Sequence, residues 1–410
     1  MIITADITYN TLSNGLKCVH IPVHASAVEH VGVVVNTGSR NDPEGYEGLA
    51  HFVEHTIFKG TSRRKSWHII NRMEACGGEL NAYTTKENTV VYTIFPTGNF
   101  DRAADLISDL VCDSQFPCKE LEKEREVVAD EISSYLDIPS EAVFDDFEDL
   151  MFRGSPLGHN ILGCQDALAR FDTEACQSYL KRHYVADNMV LYYAGCMPAD
   201  KVWRRFERYF SGLPKGGARI VNGELPVVER FSEYRDLGIH QAHTLVGTRI
   251  PDMYSEKRYA MALLVNVLGG PGMNSLLNVA LRERRGLVYS VEANATMLSD
   301  TGLFSVYYGC DSQDVDRCMS ILYRTISDLC DSTMSDVRLR QAKRQYLGQL
   351  AVASENSESM VISMARSVLY RGHVLSDSMI RKAIEDISAA DICEAAMLIR
   401  PDRLSSLTMR

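Results

Sequence analysis

His51-Phe52-Val53-Glu54-His55 sets two histidines four residues apart, with a glutamate beside the second. The surrounding residues read as a short helix. At 3.6 residues per turn, positions i, i+3 and i+4 share a face, so His51, Glu54 and His55 point the same way, with Phe58 one turn on. Leu49, Phe52, Val53, Thr56 and Ile57 fall on the other side and can anchor the helix in a core. Two imidazoles on one helical face can fill two ligand positions of a zinc ion, and the glutamate between them can reach a water at the metal without being a ligand. A single histidine is more often a hydrogen-bonded core residue. The H-x-x-E-H spacing lifts this pair above that reading, because it reverses the order of the H-E-x-x-H zinc motif.

A catalytic zinc usually keeps three protein ligands and one open position. The acidic stretch 119–135 offers candidates for the third: Glu120, Glu122, Glu124, Glu126, Asp130 and Glu131. Most acidic residues on a helix are a solvated face. Glu124 and Glu131 are two helical turns apart and lie on one stripe, so one could bind metal while the other orients a histidine from behind. Spacing alone leaves open which does which.

Around this centre the chain reads as alternating strands and helices. Residues 16–22 and 30–35 are strands, and the Gly-rich loop 38–48 leads into the histidine helix. A helix over 62–76 ends at Gly77-Gly78, a hairpin follows over 79–95, and helices cover 101–113, 119–135, 141–152 and 176–184. A strand at 189–195 and a helix at 200–210 close the first half. Residues 211–230 concentrate Gly and Pro and read as a linker. The order then repeats without a histidine pair: strand 243–250, helix 257–268, a Gly-rich loop, helix 274–285 capped by Gly286, a hairpin over 287–308, and helices at 314–331, 335–353 and 357–370. The expected fold is α+β, two similar α/β domains with antiparallel-rich sheets packed with helices: 1–215 carrying the zinc motif and 225–410 without it.

Composition narrows the classes. A chain of 410 residues suggests two or three domains, and a net charge of −11 argues against general nucleic-acid or membrane-surface binding. Met1-Ile2-Ile3-Thr4-Ala5-Asp6 lacks the basic and apolar regions of a signal peptide, and no apolar run approaches a membrane span. Eleven cysteines without a C-x-x-C pair indicate neither a disulfide framework nor a cysteine zinc site. Reduced thiols in the cytoplasm are the expectation.

Several stretches together resemble the M16 zinc peptidases, the group of pitrilysin, insulin-degrading enzyme and mitochondrial processing peptidase, and most of all its short bacterial members. They are Gly48-Leu49-Ala50-His51-Phe52-Val53-Glu54-His55, Leu80-Asn81-Ala82-Tyr83-Thr84, Glu124-Arg125-Glu126-Val127-Val128 through Asp130-Glu131-Ile132, and Leu281-Arg282-Glu283 to Tyr289-Ser290. In that family the third ligand is a glutamate 76 residues past the second histidine, a count that lands on Glu131. The supporting glutamate seven earlier is Glu124.

The resemblance implies more. Substrate binds as an added strand against a sheet edge, here 80–84 with Asn81 and Ala82 as contacts, a mode that grips main chain. Without the family, Asn81 would pass as a strand-end residue and Arg282 as part of a solvated basic patch. With it, Arg282 and Tyr289 reach the active site from the second half of an opposing subunit or repeat, where a Tyr hydroxyl could donate to the developing oxyanion. His159 and Leu276 stand where the short members commonly carry Arg. The function implied is a zinc endopeptidase with one Zn²⁺ per chain, in which Glu54 acts as general base toward peptides or unfolded segments. A single two-domain chain implies a homodimer, or else a heterodimer with a partner of degenerate motif. The rival class is a non-catalytic assembly subunit of the same family.

Overall fold

The computed structural model describes residues 7–23, 26–216 and 222–410. The signal-peptide reading of the first six residues and the middle of the 211–230 linker lie outside the described residues. None of the described helices is long and apolar enough to cross a membrane.

Two compact units form, and they interleave along the chain instead of dividing once near residue 215. The first takes Met1–Ser134, His159–Val221 and Ser354–Leu375; the second takes Tyr135–Gly158, Asn222–Ala353 and Ser376–Arg410.

The first unit is built on six strands: β1 (Thr8–Thr11), β2 (Lys17–Pro22), β3 (Val28–Val35), β4 (Glu79–Thr84), β5 (Thr89–Pro96) and β6 (Met189–Gly195), in the order β1-β2-β6-β3-β5-β4. Only β2 and β6 run parallel. The central strands are apolar at consecutive positions because both faces are covered. In β3, Val31, Val33 and Val35 meet the helices that include Leu49–Thr56 and Phe100–Asp113, while Val34 faces the other way. The opposite face, with Val19, Ile21, Val190 and Tyr192, packs on Val361, Ile362, Ala365 and Val368 of helix Ser357–Arg371. Burying each large side chain in such a layer contributes ~1.5–3 kcal/mol.

The second unit repeats this plan with β7 (Ser232–Arg235), β8 (Gln241–Ile250), β9 (Val288–Met297), β10 (Gly302–Asp311) and β11 (Ser405–Met409), ordered β7-β11-β8-β10-β9. Its one parallel pair is β7 with β11, in the place that β2 and β6 hold in the first sheet. One of its faces is covered by helix Pro139–Met151, through Val143, Phe147, Leu150 and Met151 against Leu245, Leu407 and Met409. Each unit therefore receives one helix from the other half of the chain, which is why a contiguous boundary does not describe them. The predicted helix over 274–285 is π-helical at Asn278–Glu283.

Candidate metal centre

The entry to helix Leu49–Thr56 is fixed before any metal chemistry is considered. The buried side chain of Asp42 accepts hydrogen bonds from the N–H groups of Gly48 (2.7 Å) and Ala50 (2.8 Å), donors at the helix start that have no partner within the helix. Gly48 has φ +97°, and a Cβ there would come within 2.6 Å of the Leu162 carbonyl oxygen, so glycine is required. Leu49, Ala50, Phe52, Val53 and Ile57 are buried in the core. That leaves His51, Glu54 and His55 on the remaining face, as their spacing predicts. Replacing Asp42 by Ala is expected to destabilise the protein by about 2 kcal/mol, read as a lower denaturation midpoint, because it strips a charged cap from this one helix.

Glu131, near the end of helix Cys118–Leu136, brings Oε2 to 3.6 Å from His55 Nε2 and 3.9 Å from His51 Nε2. One ligand atom from each of His51, His55 and Glu131 lies within 4.8 Å of the others, and no other such group occurs among the described residues. Glu124, two turns earlier on the same helix, sits behind His55. It accepts a hydrogen bond from His55 Nδ1 at 3.0 Å and pairs with Lys59 Nζ at 2.7 Å. That contact keeps the proton on Nδ1 and turns the His55 Nε2 lone pair toward Glu131. The two glutamates that spacing left interchangeable thus occupy distinct places.

The electrostatics suit a cation. Desolvation, with the nearby His55 charge, lowers the His51 pKa to about 3, so this ring is neutral near pH 7. Its Nδ1 is buried without a hydrogen-bond partner among the described residues, and its polar surroundings lie on the Nε2 side. Desolvation also pulls His55 down, but the Glu124 hydrogen bond and the charges of Glu54, Glu131 and Glu124 outweigh it and raise the pKa. Burial pushes Glu124 up, and its contacts with His55 and Lys59 reverse this and hold it below the usual range. Two imidazole nitrogens and a carboxylate oxygen, closely grouped and backed by a hydrogen-bonded carboxylate, are the donor set of a zinc site.

Glu54 stands beside this group. Desolvation raises its pKa, tempered by the polar groups of neighbouring Thr84 and by the His55 charge. Of the expected substrate contacts, Asn81 lines a cavity of about 400 Å³ beside His55, together with Leu80, Phe58 and Ile70. Ala82 lies one residue on in β4, the edge strand of its sheet. Arg282 and Tyr289 belong to the second unit, the former in the π-helical turn and the latter 66% exposed on β9. His159 Nε2 lies 3.4 Å from Asp42 Oδ2, next to the helix cap and not in the metal cluster. Leu276 packs against the core of the second unit.

Sequence reading missed Asp42, Lys59 and Thr84. Lys59 is one turn past His55 and could have been found by helical spacing. The other two are joined to the site only by the fold.

The chain is similar to known proteins along most of its length. Residues 21–165 match the family described as insulinase (peptidase family M16), and residues 170–346 match the peptidase M16 inactive domain. An uncharacterized zinc protease of Mycobacterium leprae is 32% identical over 90% of this chain and 84% of its own. One from Bacillus subtilis is 30% identical over 91% of this chain and 90% of its own. Among solved structures, a protease from Helicobacter pylori superposes with a TM-score of 0.91 at 19% identity, covering 99% of both chains.

Proposed function

This chain belongs to the M16 peptidase family, and from that membership we propose that it is a zinc-dependent endopeptidase whose ion, one per chain, is held by His51, His55 and Glu131. The single observation that carries the reading is the convergence of His51 Nε2, His55 Nε2 and Glu131 Oε2 next to the half-buried Glu54. When bound, zinc supplies Lewis acidity that acidifies water and polarises a scissile carbonyl.

The chain's own residues do the rest. Neutral His51 and the His55 ring fixed by Glu124 both offer an Nε2 lone pair. Glu54 accepts a proton from the attacking water on a carboxylate oxygen and later returns it to the leaving amine nitrogen, so that one group serves both steps. Its raised pKa moves it toward the range where both transfers are effective. Peptides or unfolded segments add as a strand to β4, with Asn81 and Ala82 at the contact.

Arg282 and Tyr289, exposed on the unit that lacks the metal cluster, act on the substrate of another copy, where the Tyr289 hydroxyl donates to the developing oxyanion. The working form is a homodimer closing a chamber around the peptide, with a degenerate partner chain as the alternative.

The test is digestion of a fluorogenic peptide library, with products mapped by mass spectrometry. Internal cleavage that stops on chelation and returns with zinc is expected. Cleavage indifferent to chelator would contradict the reading, and a chain found only as monomer by sedimentation at working concentration would contradict the dimer.

A further inference from the structure

Behind the histidine helix lies a second cavity that the metal chemistry does not use. Its volume is about 430 Å³, within the range of small-ligand sites. It opens between the loop that leads into helix Leu49–Thr56 and helix Thr173–His183, both in the first unit. Leu49 lines it, and Leu49 falls on the side of its helix away from His51, Glu54 and His55. The cavity and the metal cluster therefore lie on opposite sides of one helix. Tyr46 and Tyr179 line it as well. The Tyr46 ring is held by stacking on Phe171 at 6.2 Å, and Tyr179 offers ring surface, since its hydroxyl is taken by Thr37 at 2.8 Å.

The polar lining is sorted by charge. Asp172 and Glu174 stand at the start of helix Thr173–His183, and Arg182 and His183 at its end. This order suits the helix dipole and by itself calls for no ligand. Two observations go further. Asp172 already caps the helix, accepting from Ala175 N–H at 2.8 Å, but Glu174 and Arg182 pair with nothing among the described residues. His183 is 5% exposed, and its ring meets Tyr179 at 4.5 Å without a hydrogen bond to any described residue. A buried imidazole left without a polar partner costs free energy, and most find one. Burial and the Arg182 charge lower the His183 pKa to about 4, so near pH 7 the ring is neutral and can donate one hydrogen bond. Glu174 and Arg182 are eight residues apart, about 12 Å along the helix at 1.5 Å per residue. An extended peptide rises about 3.3–3.6 Å per residue, so three or four residues match that span.

We propose that this cavity binds a short peptide of three or four residues by its free ends, with the ammonium at Asp172 and Glu174, the carboxylate at Arg182 and His183, and the chain lying over Tyr46, Leu49 and Tyr179. Arg182 can grip a carboxylate with two parallel N–H groups, and the His183 ring supplies a further donor. Tyr46, Leu49 and Tyr179 give the side chains apolar cover. Peptides of this class are what proteolysis releases. The inference goes beyond the proposed peptidase activity and does not need it, because binding here uses neither zinc nor Glu54.

Isothermal titration calorimetry of the zinc-loaded full chain with trialanine and tetra-alanine makes the test. Saturable binding of one equivalent is expected, and it persists after zinc is removed with chelator. Acetylating the amino end or amidating the carboxyl end of the peptide should each weaken binding about 10- to 100-fold, the effect of losing a charge-assisted hydrogen bond. Glu174→Gln and Arg182→Gln, both at exposed positions, identify which end lies where. Glu174→Gln should weaken the free peptide by a similar factor and leave the acetylated one unchanged. Arg182→Gln should weaken the free peptide and leave the amide unchanged. Absence of saturable heat overturns the proposal. So does parental binding in either variant, or binding that disappears with zinc, which would put the peptide at the metal centre. The titration reads no turnover, so its failure and a failure of the peptidase reading are seen separately.

Discussion

Glu54→Gln is expected to keep one equivalent of zinc and to lose about 10²- to 10⁴-fold in kcat, with KM close to the parent value. Glutamine has the shape of glutamate, so the helix and its two histidines stay in place. What it cannot do is take a proton from water. The effect should be large because the position is desolvated: burial raises the Glu54 pKa. Steady-state kinetics and metal analysis on the same preparation make the check. Substantial turnover in this variant, with zinc retained, would remove Glu54 from the proton-transfer role.

The second large effect concerns the two glutamates of helix Cys118–Leu136, which the structure separates by what each touches. Glu131 Oε2 faces both imidazole Nε2 atoms, so Glu131→Ala should leave two neutral nitrogens as the only donors, and both zinc and activity should be lost on dialysis. Glu124 touches His55 Nδ1 and Lys59 instead. Glu124→Gln should therefore retain zinc at saturating metal and weaken its affinity by about 10- to 100-fold, the usual cost of removing a partner that orients a ligand. The order matters more than either value. If Glu124→Gln released zinc more readily than Glu131→Ala, the assigned roles would have to be exchanged.

Much of this was legible in the sequence because it is local. The histidine helix is eight residues long, and its two faces follow from 3.6-residue periodicity alone; the observed burial of Leu49, Phe52, Val53, Thr56 and Ile57 matches it. Glu124 and Glu131 share a stripe for the same reason. The short strands β1, β7 and β11 escaped, since Thr-Tyr-Asn-Thr, Ser-Glu-Tyr-Arg and Ser-Ser-Leu-Thr-Met carry little apolar alternation, and β7 and β11 gain their pairing from neighbours far along the chain. The apolar stripes of Pro139–Met151 and Ser357–Arg371 were visible, but a stripe does not say which sheet it covers. Both helices cover the sheet formed mainly by the other half of the chain. Asp42 reaches the site through the helix entry, and Thr84 lies near it at the end of β4, positions that only tertiary structure brings together.

The central claim is a single zinc ion held by two imidazoles of one helix and a carboxylate of another. An anomalous difference map collected at the zinc absorption edge from crystals grown with zinc tests it most directly. The account predicts one strong peak per chain, between His51 Nε2, His55 Nε2 and the Glu131 carboxylate. A map with no peak there, or with zinc bound only at other residues, would contradict it.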